Sequence, residues 1–160
     1  RSPTIMIPGL LPSANRQSLV AHVNRTQQKG FAATVYFCAV DARNRWEIEH
    51  GKKWATLPEA SIAISFRVPT SHKGPVRDYS NLLNMTKNSI DSLHARKRAG
   101  ERCKRNVRVL VTYEGVGLFA DDSPECMTWL TPPKGEQVVR MGTTYYTIIE
   151  IKEIKGNGKD

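Results

Sequence analysis

The chain has 160 residues, of which 39% are hydrophobic and 24% are charged, and 24 Lys and Arg against 15 Asp and Glu give it a formal net charge of +9. This length suits one domain with a single core, and the composition is ordinary for a soluble globular protein. No apolar run approaches the roughly 20 residues that cross a bilayer, and the first residues lack the pattern of a secretory signal. We therefore expect no membrane partner and a cytoplasmic location.

The first half of the chain predicts two strands and one helix. Residues 4–9 (TIMIPG) form a short apolar run that ends in Pro-Gly, which is typical of a strand. Residues 24–45 place apolar side chains among polar ones and favour an amphipathic helix, although TVYFCAV (34–40) would also suit a strand. Residues 60–68 (ASIAISFRV) alternate apolar with smaller or polar residues, which predicts a half-buried strand that ends before Pro69.

Residues 77–93 (RDYSNLLNMTKNSIDSL) predict a helix with an ordered polar face. On a helical wheel the apolar stripe consists of Leu82, Leu83, Thr86, Ile90 and Leu93. The opposite side consists of Asn84, Lys87, Asn88 and Asp91. The polar residues therefore form a face of the helix and are not scattered over it.

The last part of the chain predicts further strands. Residues 94–108 carry seven Lys and Arg against one Glu. The next segments predict a strand at VRVLVTY (107–113), a turn at GVGLFADDSP (115–124), and closing strands at CMTWL (126–130) and TTYYTIIEIKEI (143–154). Because strands outnumber the helices that interrupt them, we expect an α+β fold with a mixed or antiparallel sheet and two main helices. We expect one domain over residues 1–154 and a frayed tail over 155–160.

The positive charge is the main compositional indication of function. With a pI near 9.7, the surface attracts polyanions through counterion release, which favours nucleic acid over acidic membranes when no amphipathic anchor is present. Basic proteins with other functions are common, so composition alone leaves a structural or protein-interaction domain open.

The cysteines and histidines form no recognisable metal-binding motif. Three cysteines are widely spaced and none lies in a CxxC pattern, so we expect neither a disulfide framework nor a structural zinc site. The histidines show no HxxxH arrangement. We interpret all four as surface or locally packed residues: His22, His50, His72 and His94.

Acidic residues are better candidates for metal binding. Nucleases that use divalent metals need two or three carboxylates that converge on the ion, because clustered hard oxygens bind Mg²⁺ and still leave positions for phosphate and water. Asp78 precedes the predicted helix, and Asp121 and Asp122 lie in a predicted turn about forty residues later. Only the fold can bring these two segments together.

A purely structural interpretation is also open for each of these segments. Ser80 is a good helix N-cap, and Asp78 complements the positive end of the helix dipole. Lys87 and Asp91 would suit a solvent-exposed pair one helical turn apart. The run 121–124 (DDSP) makes a reasonable turn by itself.

Three motifs follow one another in a specific order. They are Arg77-Asp78-x-x-Asn81-Leu82, then Lys87 with Asp91-Ser92-Leu93, then Gly117-Leu118-Phe119-x-Asp121-Asp122-Ser123. A further motif near the start of the chain is Pro12-Ser13-Ala14-Asn15-Arg16. As an ordered set, these motifs resemble the signature of the RusA family of Holliday-junction resolvases, which is common in phages and prophages. The resemblance covers most of the chain loosely.

The resemblance implies a small α+β homodimer, in a bacterial or phage-infected cell, that binds four-way DNA junctions and nicks two opposed strands with Mg²⁺ or Mn²⁺. Metal ligands would be Asp78, Asp122 and the residue at the position of Ser80, and Lys87 would take part in cleavage. Supporting roles would fall on Asn81, Asp91 and Asp121. Contacts with DNA are expected from Asn15, Arg16 and Arg77. They are also expected from Arg96, Lys97, Arg98, Arg102, Lys104 and Arg105, which would neutralise phosphates without reading bases.

Two departures from the family pattern define the alternative. Ser80 stands where the family has a carboxylate, and a neutral hydroxyl binds Mg²⁺ far more weakly. Three extra residues between Asn81 and Lys87, nearly one helical turn, also leave open whether Lys87 faces the site. Apart from these departures, an insertion of about twenty residues, 94–114, separates the predicted helix from the acidic turn. The alternative function is therefore a catalytically weakened or inactive relative that binds branched DNA.

Overall fold

The computed structural model describes residues 3–10, 21–73, 87–95, 98–130 and 137–154, and it describes the backbone alone for residues 21–28, 87–88, 98–102, 104 and 112–113. In chain order its elements are β1 (Thr4–Pro8), α1 (Ala21–His50), β2 (Ala60–Val68), α2 (Lys87–Asp91), β3 (Arg98–Lys104), β4 (Val107–Tyr113), β5 (Met127–Trp129), β6 (Val138–Arg140) and β7 (Tyr146–Glu153).

The strand β2 is the centre of a five-stranded mixed sheet. β7 pairs with one side of β2 in the antiparallel direction, and β1 pairs antiparallel with the far side of β7. On its other side β2 pairs in parallel with two short strands, β5 beside residues 60–62 and β6 beside residues 66–68. The predicted α+β fold with a mixed sheet is therefore confirmed.

The hydrophobic core lies between α1 and one face of this sheet. Alternate residues of the three long strands are buried there: Ile5, Ile7, Ile62, Ile64, Phe66, Ile149 and Ile151. The helix contributes Ala32, Val35, Ala39 and Ala42. These residues are three or four positions apart, the spacing that places side chains on one face of a helix.

The predicted helix over residues 24–45 is confirmed and is longer than expected, since α1 spans 30 residues. The alternative prediction, a strand over residues 34–40, is wrong. Val35 and Ala39 are buried at helical spacing, whereas Phe37 is largely exposed, so tertiary packing prevails over the local β propensity of this run. Gly51, with φ of +64°, follows the helix in the left-handed conformation that commonly ends a helix.

The predicted strands at 4–9, 60–68, 107–113, 126–130 and 143–154 are confirmed as β1, β2, β4, β5 and β7. Two strands were not predicted. β6 is only three residues long, and β3 lies in the basic segment without an alternating apolar pattern. Among the described residues, β3 and β4 pair only with each other and form a separate two-stranded sheet, which we call the ribbon.

Only residues 87–93 of the predicted helix over 77–93 lie within the described chain, and α2 occupies residues 87–91 of them. The expected frayed tail over 155–160 lies outside it. Within the described residues, no helix combines the length and the apolar character that a membrane span requires.

Candidate metal centre

The turn that follows α2 brings an aspartate and a histidine together. The backbone N–H groups of Leu93 and His94 donate to the carbonyl of Ile90, and the Leu93 side chain is buried in the core. Asp91 and His94 are thereby held on one side of the turn, where Nε2 of His94 lies 3.2 Å from Oδ1 of Asp91. Both side chains are buried, with 6% of Asp91 and 1% of His94 exposed.

The burial of Asp91 corrects two expectations from the sequence. The helical wheel placed it on a polar face opposite Leu93, and the structural interpretation paired it with Lys87 in solvent. The wheel treated residues 77–93 as an isolated helix, whereas α2 ends at Asp91 and a later part of the chain packs beside the following turn. A polar residue at such a place is buried by long-range packing, which helical periodicity does not report.

That later part of the chain is residues 115–122, which we call the strap. The N–H of Val116 donates to the carbonyl of Ser92 at 2.8 Å, and the N–H of Ala95 donates to the carbonyl of Phe119 at 2.8 Å. These bonds satisfy backbone groups of both segments. They also fix the strap alongside the turn that carries Asp91 and His94.

The strap is held from its other side by Leu57. The N–H of Leu57 donates to the carbonyl of Leu118 at 3.1 Å, and the N–H of Ala120 donates to the carbonyl of Leu57 at 2.9 Å. Because the backbone is bonded on both sides up to Ala120, the acidic pair Asp121 and Asp122 begins from a defined position.

Gly115, at the start of the strap, is required by a close approach of two backbones. A Cβ atom at this position would lie 2.4 Å from the carbonyl oxygen of His94 and 2.8 Å from the carbonyl carbon of Ser92. Backbone atoms cannot rotate away as a flexible side chain can. Any other residue at position 115 would therefore force the strap away from the turn.

Asp122 completes a three-residue cluster with Asp91 and His94. One carboxylate oxygen of each aspartate and one imidazole nitrogen all lie within 4.8 Å of one another. Oδ1 of Asp121 accepts a hydrogen bond from the N–H of Asp122 at 2.8 Å, which orients the acidic turn. Asp122 is half-buried, so the cluster reaches the surface through this residue.

The donor set of this cluster fits a divalent cation. Two carboxylates and an imidazole are hard and borderline donors that suit Mn²⁺ and Zn²⁺, and the carboxylates also suit Mg²⁺. Neighbouring ligands of one octahedral ion, each about 2.1 Å from it, lie roughly 3.0 Å apart, close to the 3.2 Å between His94 and Asp91. Opposite ligands lie roughly 4.2 Å apart, so three donor atoms that all lie within 4.8 Å of one another are close to the spacing that a single ion needs.

His94 has a second feature that fits a ligand. Its Nδ1 is buried and has no hydrogen-bond partner among the described residues. Buried polar side-chain atoms are usually hydrogen-bonded, and an exception in a native structure requires an explanation such as a bound ion. Either nitrogen could bind an ion, Nε2 by exchanging its bond to Asp91 and Nδ1 through a lone pair that no described group uses.

The structure brings together some of the residues that the sequence indicated. Asp122, a predicted ligand, and Asp91, a predicted supporting residue, lie in the cluster, and Asp121 lies next to it. Lys87 is the first residue of α2, where only the backbone is described. The remaining predicted residues of the metal centre lie outside the described chain: Asp78, Ser80 and Asn81.

His94 was missed by the sequence analysis, which searched for histidines only in the HxxxH pattern. The signal that would have found it is Asp91-x-x-His94, two ligand types three residues apart, which a helical turn places on one side. The expectation of a surface or locally packed residue is confirmed for His94, which is packed in the interior.

Most of the basic segment lies in the ribbon, which begins and ends a few residues from the segments that carry the three-residue cluster. β3 starts four residues after His94, and β4 ends two residues before the strap. The strands are joined by Arg105 and Asn106, whose φ angles of 51° and 63° are those of a tight two-residue hairpin turn. Val107, at 60% exposure, and Leu110, at 78%, lie on the ribbon surface.

The predicted DNA contacts are distributed between the ribbon and undescribed segments. Arg98, Arg102 and Lys104 lie on β3, where the backbone alone is described, and Arg105 is exposed in the hairpin turn. The others lie outside the described residues: Asn15, Arg16, Arg77, Arg96 and Lys97. Comparison of the chain with protein-family models, with curated proteins and with solved structures found no match.

Proposed function

We propose that the chain is a structure-selective, metal-dependent endodeoxyribonuclease that resolves four-way DNA junctions by nicking two opposed strands. We further propose that it works as a homodimer in the cytoplasm of a bacterial or phage-infected cell. The observation that supports the proposal best is the convergence of Asp91 and Asp122 with His94, since these residues come from two segments that the ordered motifs had singled out.

In this proposal Asp91, His94 and Asp122 hold the ion, and Asp78 and Ser80 belong to the same centre. When bound, the ion supplies a nucleophilic water at neutral pH and withdraws charge from the phosphate. Asp122 is half-buried, and the scissile phosphate would approach the bound ion from this accessible side of the cluster. Lys87 is assigned the task of offsetting negative charge on the leaving oxygen.

The reaction is hydrolysis of one phosphodiester bond on each of two strands. The oxygen of water forms a bond to phosphorus, the bond from phosphorus to the leaving oxygen breaks, and the leaving oxygen takes up a proton. Nothing beyond water is consumed. The protein therefore contributes positioning and electrostatic stabilisation, the two effects by which most phosphoryl-transfer enzymes work.

The DNA would be held mainly through its phosphates. The net charge of +9 and the basic ribbon provide the attraction, which acts without base readout and falls steeply with salt. A two-stranded ribbon has dimensions that fit the major groove of duplex DNA. The ribbon begins four residues after His94 and ends two residues before the strap, so a duplex arm bound at its base would lie near the proposed cleavage site.

The test of this function is nicking of a synthetic four-way junction in Mg²⁺ or Mn²⁺, with a linear duplex of the same sequence as the comparison substrate. We expect the wild-type chain to nick the junction selectively and Asp122→Asn to lose activity by at least about a hundredfold. Asp121→Asn, which keeps the oxygen that accepts from the N–H of residue 122, is the matched control and retains most activity. Equal inactivity of wild type and Asp122→Asn on the junction would refute the enzymatic proposal.

Ser80 motivates a second candidate, a protein that binds branched DNA without cutting it. In that case wild type binds the junction in a salt-dependent manner and leaves it intact. Ser80→Asp then separates a disabled nuclease from an unrelated binding protein, because restoring a carboxylate donor would produce cleavage only where the other ligands are already in place.

A further inference from the structure

We infer that His94 is a direct ligand of the metal centre and that its imidazole makes the centre select Mn²⁺ over Mg²⁺. This inference deepens the proposed function by naming the ion of the same site. It depends on metal binding by the cluster and does not require that the protein cleave DNA.

The first argument is the position of the ring. His94 is 99% buried, and Nε2 already faces a carboxylate oxygen of Asp91 at 3.2 Å. The half-buried carboxylate of Asp122 lies within 4.8 Å of both groups. An ion placed between the two carboxylates would therefore have an imidazole nitrogen within reach.

The second argument concerns charge. Two carboxylates that lie within 4.8 Å of each other, one of them buried, repel each other unless a positive charge stands between them. A divalent cation removes this repulsion and accepts an electron pair from each oxygen.

The third argument is the hydrogen bonding of the ring. A histidine that serves only packing usually satisfies both nitrogens, whereas Nδ1 of His94 has no partner among the described residues. Because no described group is hydrogen-bonded to Nδ1, the ring can carry its proton there and offer the lone pair of Nε2, which already faces Asp91, to the ion.

The chemistry of the donors determines the preferred ion. Mg²⁺ binds oxygen ligands almost exclusively and gives up its waters reluctantly. Imidazole suits first-row transition ions, and Mn²⁺ also accepts carboxylates. A mixed set of one nitrogen and two carboxylates therefore favours Mn²⁺, whereas a set of carboxylates alone would leave the two ions closer in affinity.

The inference is tested by titrating the purified full chain, free of DNA, with Mn²⁺ and separately with Mg²⁺ in a calorimeter. We expect wild type to bind Mn²⁺ at least about tenfold more tightly than Mg²⁺. His94→Asn should weaken Mn²⁺ binding by about ten- to a hundredfold and change Mg²⁺ binding much less. His50→Asn, which removes an exposed imidazole, is the matched control and should behave as wild type.

A spectroscopic readout identifies the ligand directly. Pulsed electron paramagnetic resonance of the Mn²⁺-loaded wild type should show coupling to an imidazole ¹⁴N nucleus, and the coupling should persist in His50→Asn. The wild-type measurement does not depend on whether His94→Asn folds, and circular dichroism of that variant shows whether its titration is usable. Bound Mn²⁺ without nitrogen coupling, or no Mn²⁺ binding by wild type, would overturn the inference.

Failure of the inference and failure of the proposed function can be told apart. If nitrogen coupling is seen but no junction is nicked, His94 is a ligand and the nuclease proposal is wrong. If junctions are nicked but Mn²⁺ shows no nitrogen coupling, the nuclease proposal stands and the ion is held by oxygen ligands alone.

Discussion

His94 and Asp91 form a buried pair, with Nε2 of the imidazole 3.2 Å from Oδ1 of the carboxylate. Their spacing of three residues makes this contact local, so it is set by the turn at the end of α2. Asp122 joins them from a distant segment of the chain, the strap. Local structure therefore places two of the three proposed ligands, Asp91 and His94. The third, Asp122, is placed by the folded strap.

The buried pair predicts a difference between two substitutions at position 91. Asp91→Ala leaves the buried His94 ring without its acceptor, and we expect the free energy of unfolding to fall by about 1–3 kcal/mol. Asp91→Asn keeps an acceptor oxygen and should cost less. Both stability losses can be measured by urea unfolding monitored through tryptophan fluorescence. A chelator in the buffer removes any contribution from bound metal. Indistinguishable midpoints for the two variants and wild type would mean that the pair does not stabilise the fold.

The close approach at Gly115 predicts a stability cost for the smallest possible side chain. Gly115→Ala places a Cβ 2.4 Å from a backbone oxygen of His94, and we expect a loss of about 1–3 kcal/mol, as for other overpacked sites. The matched control is Gly30→Ala in α1, where a Cβ meets nothing within 4 Å and helix propensity favours alanine by up to about 1 kcal/mol. Thermal unfolding should show a lower midpoint for Gly115→Ala and a higher midpoint for Gly30→Ala than for wild type. A stable Gly115→Ala protein would show that the strap does not pack as closely as described.

The core predicts a contrast between two isoleucines of very different burial. Ile64 is 1% exposed in the centre of β2, and Ile64→Ala should lower the free energy of unfolding by about 2–5 kcal/mol, because it removes buried surface and leaves a cavity. Ile48 on α1 is 81% exposed, and Ile48→Ala should change stability by no more than about 0.5 kcal/mol. Denaturant midpoints measure the difference. Similar losses for the two variants would contradict the assignment of the core.

Thiol reactivity follows from the environments of the three free cysteines. Burial and the nearby negative charge of Asp41 raise the pKa of the Cys38 thiol above its usual value, so at neutral pH less of it is the reactive thiolate. Cys103 is exposed on the ribbon. We expect iodoacetamide to modify Cys103 faster than Cys38. The difference between the two rates should narrow as the pH rises and Cys38 ionises. Peptide mass spectrometry after short exposures measures the order, and faster modification of Cys38 would be inconsistent with its burial.

Cys103 also reports whether the ribbon contacts DNA. It lies opposite Arg108 near the hairpin turn, so DNA bound along the ribbon should slow its alkylation. We expect protection by a four-way junction at low salt, loss of protection at high salt, and no change at Cys38. Arg105→Glu, at the exposed turn, should weaken the protection. Unchanged alkylation of Cys103 in a saturated complex would place the DNA elsewhere on the protein.

Most elements were predictable because their causes are local. The alternating residues of β2 and the three- and four-residue spacing of Val35, Ala39 and Ala42 in α1 are periodic signals that burial of one face requires. β3 was missed because its sequence RAGERCK alternates no apolar residues. It is a strand through pairing with β4, and such pairing depends on a partner that a periodicity search does not consider.

For the candidate site, the sequence alone determined the supply of carboxylates, the large positive charge and the two segments that carry Asp91 and Asp122. Only the tertiary structure decided that these two acids meet, that Asp91 is buried, and that His94 stands between helix end and strap. The physical reason is that charge and periodicity are properties of neighbouring residues, whereas the meeting of Asp91 and Asp122 depends on backbone hydrogen bonds between the strap, the turn after α2 and Leu57. Those bonds join residues that are far apart in the chain, such as Leu57 and Leu118, so no local pattern reports them.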